Sequence, residues 1–226
     1  MPTYNEGKSI SSVISDWCTE LNKLGIDFKF HVYNDGSKDN TLNVLNKISG
    51  ENNNIVIHDK SNSGHGPTLI KGYKENSSDY EWIFQIDSDD EMGVELFEEL
   101  WKNRSSYDFL IGCRERPNQP GIRKLISLIS RVTIGIFYGN CVYDVNSPYR
   151  LMRTEKFRDL FFKLPETMYA PNVAITGYTS LKNLRVYQGR IKQNIKKTGL
   201  NAMGTVKISK VAKSFFEILL FRFSIN

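Results

Sequence analysis

No stretch of this 226-residue sequence stays apolar for the roughly 18–20 residues that a membrane-spanning helix needs. Its first residues lack the charged-then-apolar pattern of a secretory signal. If the chain works at a membrane, it is therefore expected to lie on it. Cysteine is scarce: Cys18, Cys113 and Cys141 are an odd number at unrelated spacings, with no CxxC pair and no Cys/His cluster. That excludes a disulfide framework and a zinc-finger-type site, and it suits thiols in a reducing cytoplasm. Repeats at solenoid spacing and low-complexity tracts are missing too, so the length fits one domain, with or without a short appendage. Aromatic residues are not interleaved with basic ones as a nucleic-acid groove would require, which argues against nucleic acid as a partner. What remains is a mildly basic chain, with formal charge +5 and pI near 9.0. Such a balance suits phosphate-bearing ligands or an anionic membrane surface.

The apolar pattern alternates between the strand and helix periods. Ile10, Val13, Ile14, Trp17, Leu21 and Leu24 mark an amphipathic helix near 8–24. Phe28, Phe30 and Val32 alternate and stop at Asn34-Asp35-Gly36-Ser37, a strand running into a turn. A helix with the stripe Leu42, Val44, Leu45 and Ile48 follows, with Asp39 or Ser37 as candidate cap. Then come the strand Ile55-Val56-Ile57, a helix opened by Gly64-His65-Gly66-Pro67, and the strand Trp82 to Ile86, which ends at Asp87. A helix near 94–102 and the strand Phe109-Leu110-Ile111 complete the series. This order predicts an α/β layer fold with a largely parallel sheet. Ligands of such folds sit beyond the carboxyl ends of the strands, which directs attention to the loops after Val32, Ile57, Ile86 and Ile111.

From about residue 117 the pattern changes. Ile122, Leu125, Ile126, Leu128, Ile129, Val132, Ile134, Ile136 and Phe137 are too many for one buried face, and Arg123, Lys124 and Arg131 interrupt them. The stretch from Val206 to Phe223 repeats this, with Lys207, Lys210, Lys213 and Arg222 among its apolar residues. Each segment reads either as a core helix with snorkelling cations or as an interfacial helix at lipid headgroups.

Several short polar blocks could carry chemistry, and each is ambiguous alone. Asp87-Ser88-Asp89-Asp90 crowds three carboxylates where a strand ends. Their repulsion disfavours full ionisation unless a cation bridges them to a diphosphate, as magnesium does through one or two carboxylates plus phosphate oxygens. The same residues also suit a solvated turn or a helix cap. Asn34-Asp35-Gly36-Ser37 is equally a common turn. Gly64-His65-Gly66 before a helix could bring backbone N–H groups to a ligand, and His65 by itself reads as a loop histidine.

Taken in order, the blocks are specific. Pro2-Thr3-Tyr4-Asn5-Glu6, then Asn34-Asp35-Gly36-Ser37-Lys38-Asp39-Asn40-Thr41, then Asn62-Ser63-Gly64-His65-Gly66, then Asp87-Ser88-Asp89 resemble the inverting family 2 glycosyltransferases of GT-A fold. The resemblance covers essentially the whole chain. It implies a GT-A-type, Rossmann-like layered domain over 1–200, with a nucleotide-binding half at 1–112 and an acceptor half at 113–200. Residues 201–226 form a basic amphipathic tail. It further implies donor contacts from Pro2, Tyr4, Glu6, Asp35, Gly64, Gly66, Asp87 and Ser88. Of these, Asp35 would meet the base and Asp87 the ribose or diphosphate, and Asp89, with Asp87, would hold Mg²⁺ or Mn²⁺. In the second half, Arg114-Glu115-Arg116, the basic-apolar stretch at 122–138, Asp144, and Ser147 to Arg153 look like the polyprenyl-phosphate sugar transferases, the dolichyl-phosphate-mannose-synthase-like branch. No QxxRW block of the processive synthases is present. Arg114, Arg116, Arg123 and Arg150, with Arg153, become candidates for acceptor or donor phosphates, since the guanidinium fork binds phosphate oxygens in pairs. Asp87, Asp89, Asp144 and Arg116 are the expected catalytic residues, and Glu115 or Asp144 would be the base if the acceptor were a hydroxyl.

Two departures from the family pattern are visible. Members normally begin with a short apolar strand before the Pro-x-Tyr-Asn-Glu loop, whereas Met1 abuts Pro2 here. The first strand is therefore expected to be missing, and Tyr4 and Glu6 to be loosely held. The position after Gly64 is usually lysine or arginine, and His65 weakens the expectation of a cationic contact there. The resulting expectation is a cytoplasmic enzyme, peripheral to the inner face of a membrane. It takes a UDP- or GDP-linked donor and a polyprenyl phosphate or lipid-linked glycan acceptor, with a homo-oligomer as a candidate assembly. A catalytically silent nucleotide-sugar-binding scaffold and a nucleotidyltransferase stand as readings of other classes.

Overall fold

A computed structural model describes residues 1–115, 128, 131–132, 134–139, 142–193 and 208–225, with side chains from residue 214 onward in the last of these. Arg116, Arg123, Cys141 and most of the stretch 117–130 lie outside the described residues.

Among the described residues, seven strands form two sheets. The first is wholly parallel in the order β1-β2-β3, from β1 (Pro2–Thr3), β2 (Phe30–Asp35) and β3 (Ile55–Lys60). The second has the order β4-β6-β5-β7, from β4 (Trp82–Gln85), β5 (Phe109–Glu115), β6 (Arg150–Arg153) and β7 (Val186–Lys192). In it β6 runs antiparallel to both neighbours and β7 runs parallel to β5. Helices α1 (Ile10–Lys23), α2 (Thr41–Glu51), α3 (His65–Asn76) and α4 (Phe97–Asn103) follow the first four strands. Helices α5 (Thr154–Lys163) and α6 (Pro171–Leu181) lie between β6 and β7, and α7 (Ile208–Ser224) closes the chain.

The α/β layer architecture agrees with the alternating sequence pattern. The strands divide between two sheets, and β1, at the edge of the first, is two residues long. The first strand is nonetheless present, which corrects the expectation of its loss. Pro2 and Thr3 sit in register with Tyr33 and Asn34 of β2, and the Met1 carbonyl accepts the Tyr33 N–H at 2.9 Å. Alongside it, an apolar cavity of about 290 Å³ separates the sheets, lined among others by Trp17, Trp82, Trp101, Phe30 and Phe84.

Core packing follows the periodicity. Ile10, Val13, Ile14 and Trp17, at helical spacing, are the buried face of α1. On β2 and β5 both faces are covered, so Val32 and Tyr33, and Phe109, Leu110 and Ile111, are buried without alternation. The largest buried group joins Leu69, Phe109, Phe157 and Phe161 to Ile218 and Phe221 of α7, so the C-terminal helix contributes to the domain core.

What this positions is one edge. Strands β1, β2 and β3 run the same way, so Thr3, Asp35 and Lys60 end side by side, and the loops that leave them carry the polar blocks. The loop after β4 begins with Ile86 and Asp87.

Candidate active site

The Tyr4–Ser9 turn is fastened to the β2–α2 loop by backbone donors meeting side-chain oxygens. Asn5 N–H donates to Ser37 Oγ at 2.9 Å, Glu6 N–H to Thr41 Oγ1 at 2.9 Å, and Gly7 N–H to Asp39 Oδ2 at 3.1 Å. In return, Lys38 N–H donates to Asn5 Oδ1 at 2.8 Å. Side chains replace the hold that a longer strand would give, so Glu6 is not loose, contrary to expectation. Its carboxylate accepts the Ser9 hydroxyl at 2.7 Å, while the Tyr4 ring is exposed. Asp39 does not cap α2 from the N-cap position, which belongs to Asn40. It accepts the Thr41 N–H at 3.0 Å and so braces the first turn.

Asp35 is buried at the end of β2. It accepts the Ser63 and Gly64 N–H groups at 2.8 Å each and the Lys60 ammonium. Burial alone would raise its pKa, but these donors outweigh it and hold the carboxyl below the usual range. Lys60 also reaches Ser63 Oγ at 2.7 Å and Thr68 Oγ1 at 3.2 Å. The sequence reading had passed over Lys60, and only the pairing of Asp35 with Lys60 across β2 and β3 reveals it.

The glycines of the third block serve protein contacts in this structure. Gly64 has φ +96°, a conformation open to glycine, which aims its N–H at Asp35. A Cβ on Gly66 would come within 2.3 Å of the Met168 carbonyl oxygen. Gly66 is thus needed where α3 meets the turn before α6.

Asp87 and Asp89 leave β4 with opposite electrostatics. His65 Nε2 lies 2.9 Å from Asp87 Oδ1. Burial pushes Asp87 up, yet His65 and the Arg114 guanidinium outweigh it and hold the carboxyl ionised. Burial likewise opposes charge on His65, but Asp87 and then Asp89 raise it above its ordinary value. His65, which weakens the expectation of a cationic contact in the sequence, thus pairs with Asp87 in the fold and is more readily protonated than a free imidazole. Asp89 is pushed up to about 7 by burial, then by the charges of Asp87 and Glu91. Its Oδ1 accepts the Glu91 N–H at 3.1 Å. Neither Asp89 nor Asp90 caps a helix, since α4 begins at Phe97 after an N-cap at Leu96. Ser88 is buried between them.

This pair fits a divalent cation. Two carboxylates compete for ionisation, and one is left near neutrality until positive charge arrives. Among the described residues no group of three His, Cys, Asp or Glu side chains could hold a metal. Magnesium typically binds through one or two carboxylates together with substrate phosphate oxygens.

Of the acceptor-side arginines, Arg114 sits at the end of β5, locked to Asp144 in a fork. Its Nε donates to Oδ2 at 2.7 Å and its terminal nitrogen to Oδ1 at 3.0 Å. Burial opposes its charge and the Asp144 carboxylate outweighs that, so the guanidinium is held more firmly protonated than usual. Arg150 does not belong to this group. It is fully buried, with its guanidinium given to the Ser147 and Asn172 carbonyls, and burial lowers it to about 10. Arg153 lies over the Trp82 ring at 4.6 Å, at the far end of β6. Glu115 is exposed at the end of β5.

A family model described as glycosyl transferase family 2 matches residues 1–161. The chain belongs to that family. It is a glycosyltransferase with a GT-A-type fold. A dolichyl-phosphate beta-glucosyltransferase of Trichomonas vaginalis is 26% identical over 179 residues, covering 71% of this chain and 52% of that enzyme. The chain thus spans about half the length of that relative. An uncharacterized protein of Methanocaldococcus jannaschii is 25% identical, covering 97% of each. Among solved structures, glucosyl-3-phosphoglycerate synthase from Mycobacterium tuberculosis, in complex with Mn²⁺, UDP and glucosyl-3-phosphoglycerate, superposes with a TM-score of 0.63. It is 17% identical, covering 100% of this chain and 78% of that one. At that identity the likeness speaks for the fold.

Proposed function

We propose that this glycosyltransferase moves a sugar, with inversion, from a UDP- or GDP-linked donor to a polyprenyl phosphate, assisted by Mg²⁺ or Mn²⁺. The observation that carries the donor half is the split pair at the end of β4, with Asp87 held ionised by His65 and Arg114 and Asp89 raised to about 7. Displacement at the anomeric carbon passes through an oxocarbenium-like state while negative charge grows on the departing diphosphate. Asp89 with Asp87 would hold the divalent cation, which would supply electrostatic stabilisation of that charge. His65 and Arg114 add fixed positive charge beside it, preorganised by Asp87 and Asp144. Pro2, Tyr4, Glu6 and Asp35 would frame the nucleoside, with the exposed Tyr4 ring available for stacking.

The acceptor half rests on Asp144. A hydroxyl acceptor needs a general base, and both Asp144 oxygens are bonded to Arg114. A lipid phosphate is anionic near neutrality and needs none. The Trichomonas relative acts on dolichyl phosphate by its name, which points the same way. Transfer to a lipid-linked glycan is the second reading, favoured by exposed Glu115 as an alternative base.

The test is transfer of a labelled sugar to undecaprenyl phosphate in detergent, from a panel of UDP- and GDP-sugars with Mn²⁺ or Mg²⁺. A lipid product that disappears with chelator and in Asp89→Ala supports the reading. Metal-dependent donor binding without lipid product moves the acceptor to a glycan.

A further inference from the structure

Two helical segments that the sequence places some seventy residues apart meet in the fold. The Tyr138 hydroxyl donates to the Ile218 carbonyl of α7 at 2.7 Å, and Arg222 Nε donates to the Phe137 carbonyl at 2.8 Å. Their inner sides, Ile134 and Tyr138 on one and Ile218 and Phe221 on the other, enter the same core group. The remaining sides stay apolar and face outward. On one helix Val132 and Ile136, four residues apart, are 50% and 70% exposed. On the other, Phe216, Leu220 and Phe223 follow at spacings of four and three and are 63%, 72% and 69% exposed. These spacings make one stripe per helix, and the Tyr138 and Arg222 side chains tie the two helices together. Side chains of this size in a contiguous outward group mark a docking surface.

The net charge of the two segments, read from the sequence, chooses the occupant. Residues 206–226 carry Lys207, Lys210, Lys213 and Arg222 against the single acid Glu217, whose carboxylate accepts the Tyr169 N–H at 3.1 Å. Residues 122–138 carry Arg123, Lys124 and Arg131 and no acid. A second copy of this chain would bring the same cations against them, which is unfavourable. An anionic bilayer offers apolar depth bordered by phosphate, complementary on both counts. Among the described residues no helix is long and apolar enough to cross a membrane.

We propose that the joint outward face of residues 131–138 and α7 seats the enzyme on an anionic lipid surface, with Ile136, Phe216, Leu220 and Phe223 below the headgroups. The proposal rests on the membrane-lipid acceptor reading and gives that reading its site of contact. Neither helix alone offers the face, because each uses its other side in the core.

The experiment is co-sedimentation of the full chain with phosphatidylcholine vesicles containing no or 30% phosphatidylglycerol, at low and high salt. The wild type is expected to bind the anionic vesicles, more weakly at high salt. The triple variant Phe216→Asp, Leu220→Asp and Phe223→Asp should bind at least about tenfold less tightly. A control with the same number of new carboxylates on α2 and the loop after it, Asn43→Asp, Asn46→Asp and Asn53→Asp, should bind nearly as the wild type does. Thermal denaturation and donor hydrolysis in solution must be retained by both. Wild type and face variant binding equally overturns the face while leaving the lipid acceptor intact. Equal loss in the control overturns it as a net-charge effect. A concentration-dependent dimer dispersed by the face variant, without vesicle binding, makes the face a subunit interface and overturns it. Transfer to undecaprenyl phosphate in detergent, run on the same variants, reads the acceptor proposal separately: it should be unchanged by the face variant, and its absence in the wild type sinks the acceptor reading instead.

Discussion

The loops after β1 to β4 and the helical face of residues 131–138 with α7 solve opposite problems. In the loops, polar groups are bonded to one another: buried Asp35 takes three donors, and Glu6, Asn5 and Gly7 are tied to the β2–α2 loop. On the helices, apolar side chains are left in water. The first arrangement fixes charges before a ligand arrives, which is what stabilising a developing diphosphate requires. The second keeps unused apolar area for something that meets it from outside. Disturbing the loops should therefore damage chemistry, and disturbing the helical face should damage location.

The largest separation should come from Asp89→Ala or Asp87→Ala, each expected to lower transfer by about 10³-fold or more, a magnitude typical of removing preorganised charge from a site. Circular dichroism should show the fold intact, and a modest rate loss would place the chemistry elsewhere. Next, Asp144→Asn leaves the buried Arg114 guanidinium short of its counter-ion and should cost about 3 kcal/mol of stability. A denaturant melt reads this. Transfer falls with it, because Arg114 loses its aim, whereas Arg150→Lys should change stability with donor affinity unaltered. Third, Gly66→Ala forces a methyl onto the Met168 carbonyl and should cost about 1–3 kcal/mol.

A smaller, signed effect concerns pH. Asp89 is raised in the folded chain to about 7, so its contribution to stability is fully present below the ordinary carboxylate range and is lost as pH rises towards 7. Without divalent ions, the Asp89→Asn variant should lose less melting temperature between pH 5 and 8 than the wild type does. Added Mn²⁺ should raise the wild-type melting temperature more at pH 8 than at pH 5. An equal rise at both would mean the ion does not meet Asp89. Smallest of all, Phe216→Asp alone should leave stability within about 0.5 kcal/mol, since the ring is exposed.

The polar loops after the strands were readable because their signals are local. The helix period of Ile10 to Trp17 and the polar blocks after each strand need only neighbouring residues to be recognised. His65 was undervalued because its importance depends on Asp87, twenty-two residues away and on a different strand. Lys60 was overlooked for the same reason. Arg150 was misplaced as a phosphate ligand because an arginine before an apolar run looks the same whether it faces solvent or fills the core. Only the Ser147 and Asn172 carbonyls around it decide.

Composition, periodicity and motif order by themselves determined the layered α/β class, the family, and the strand edge that carries the polar blocks. These are properties of short windows and their order along the chain. Tertiary structure alone decided that Pro2 and Thr3 pair with β2 as a strand and that the strands divide between two sheets. It also decided that Asp87 and Asp89 hold protons differently, and that two greasy helices pool their outer faces. Each of these depends on distances between residues far apart in sequence, and a carboxylate's charge or a side chain's burial has no value until those distances are set.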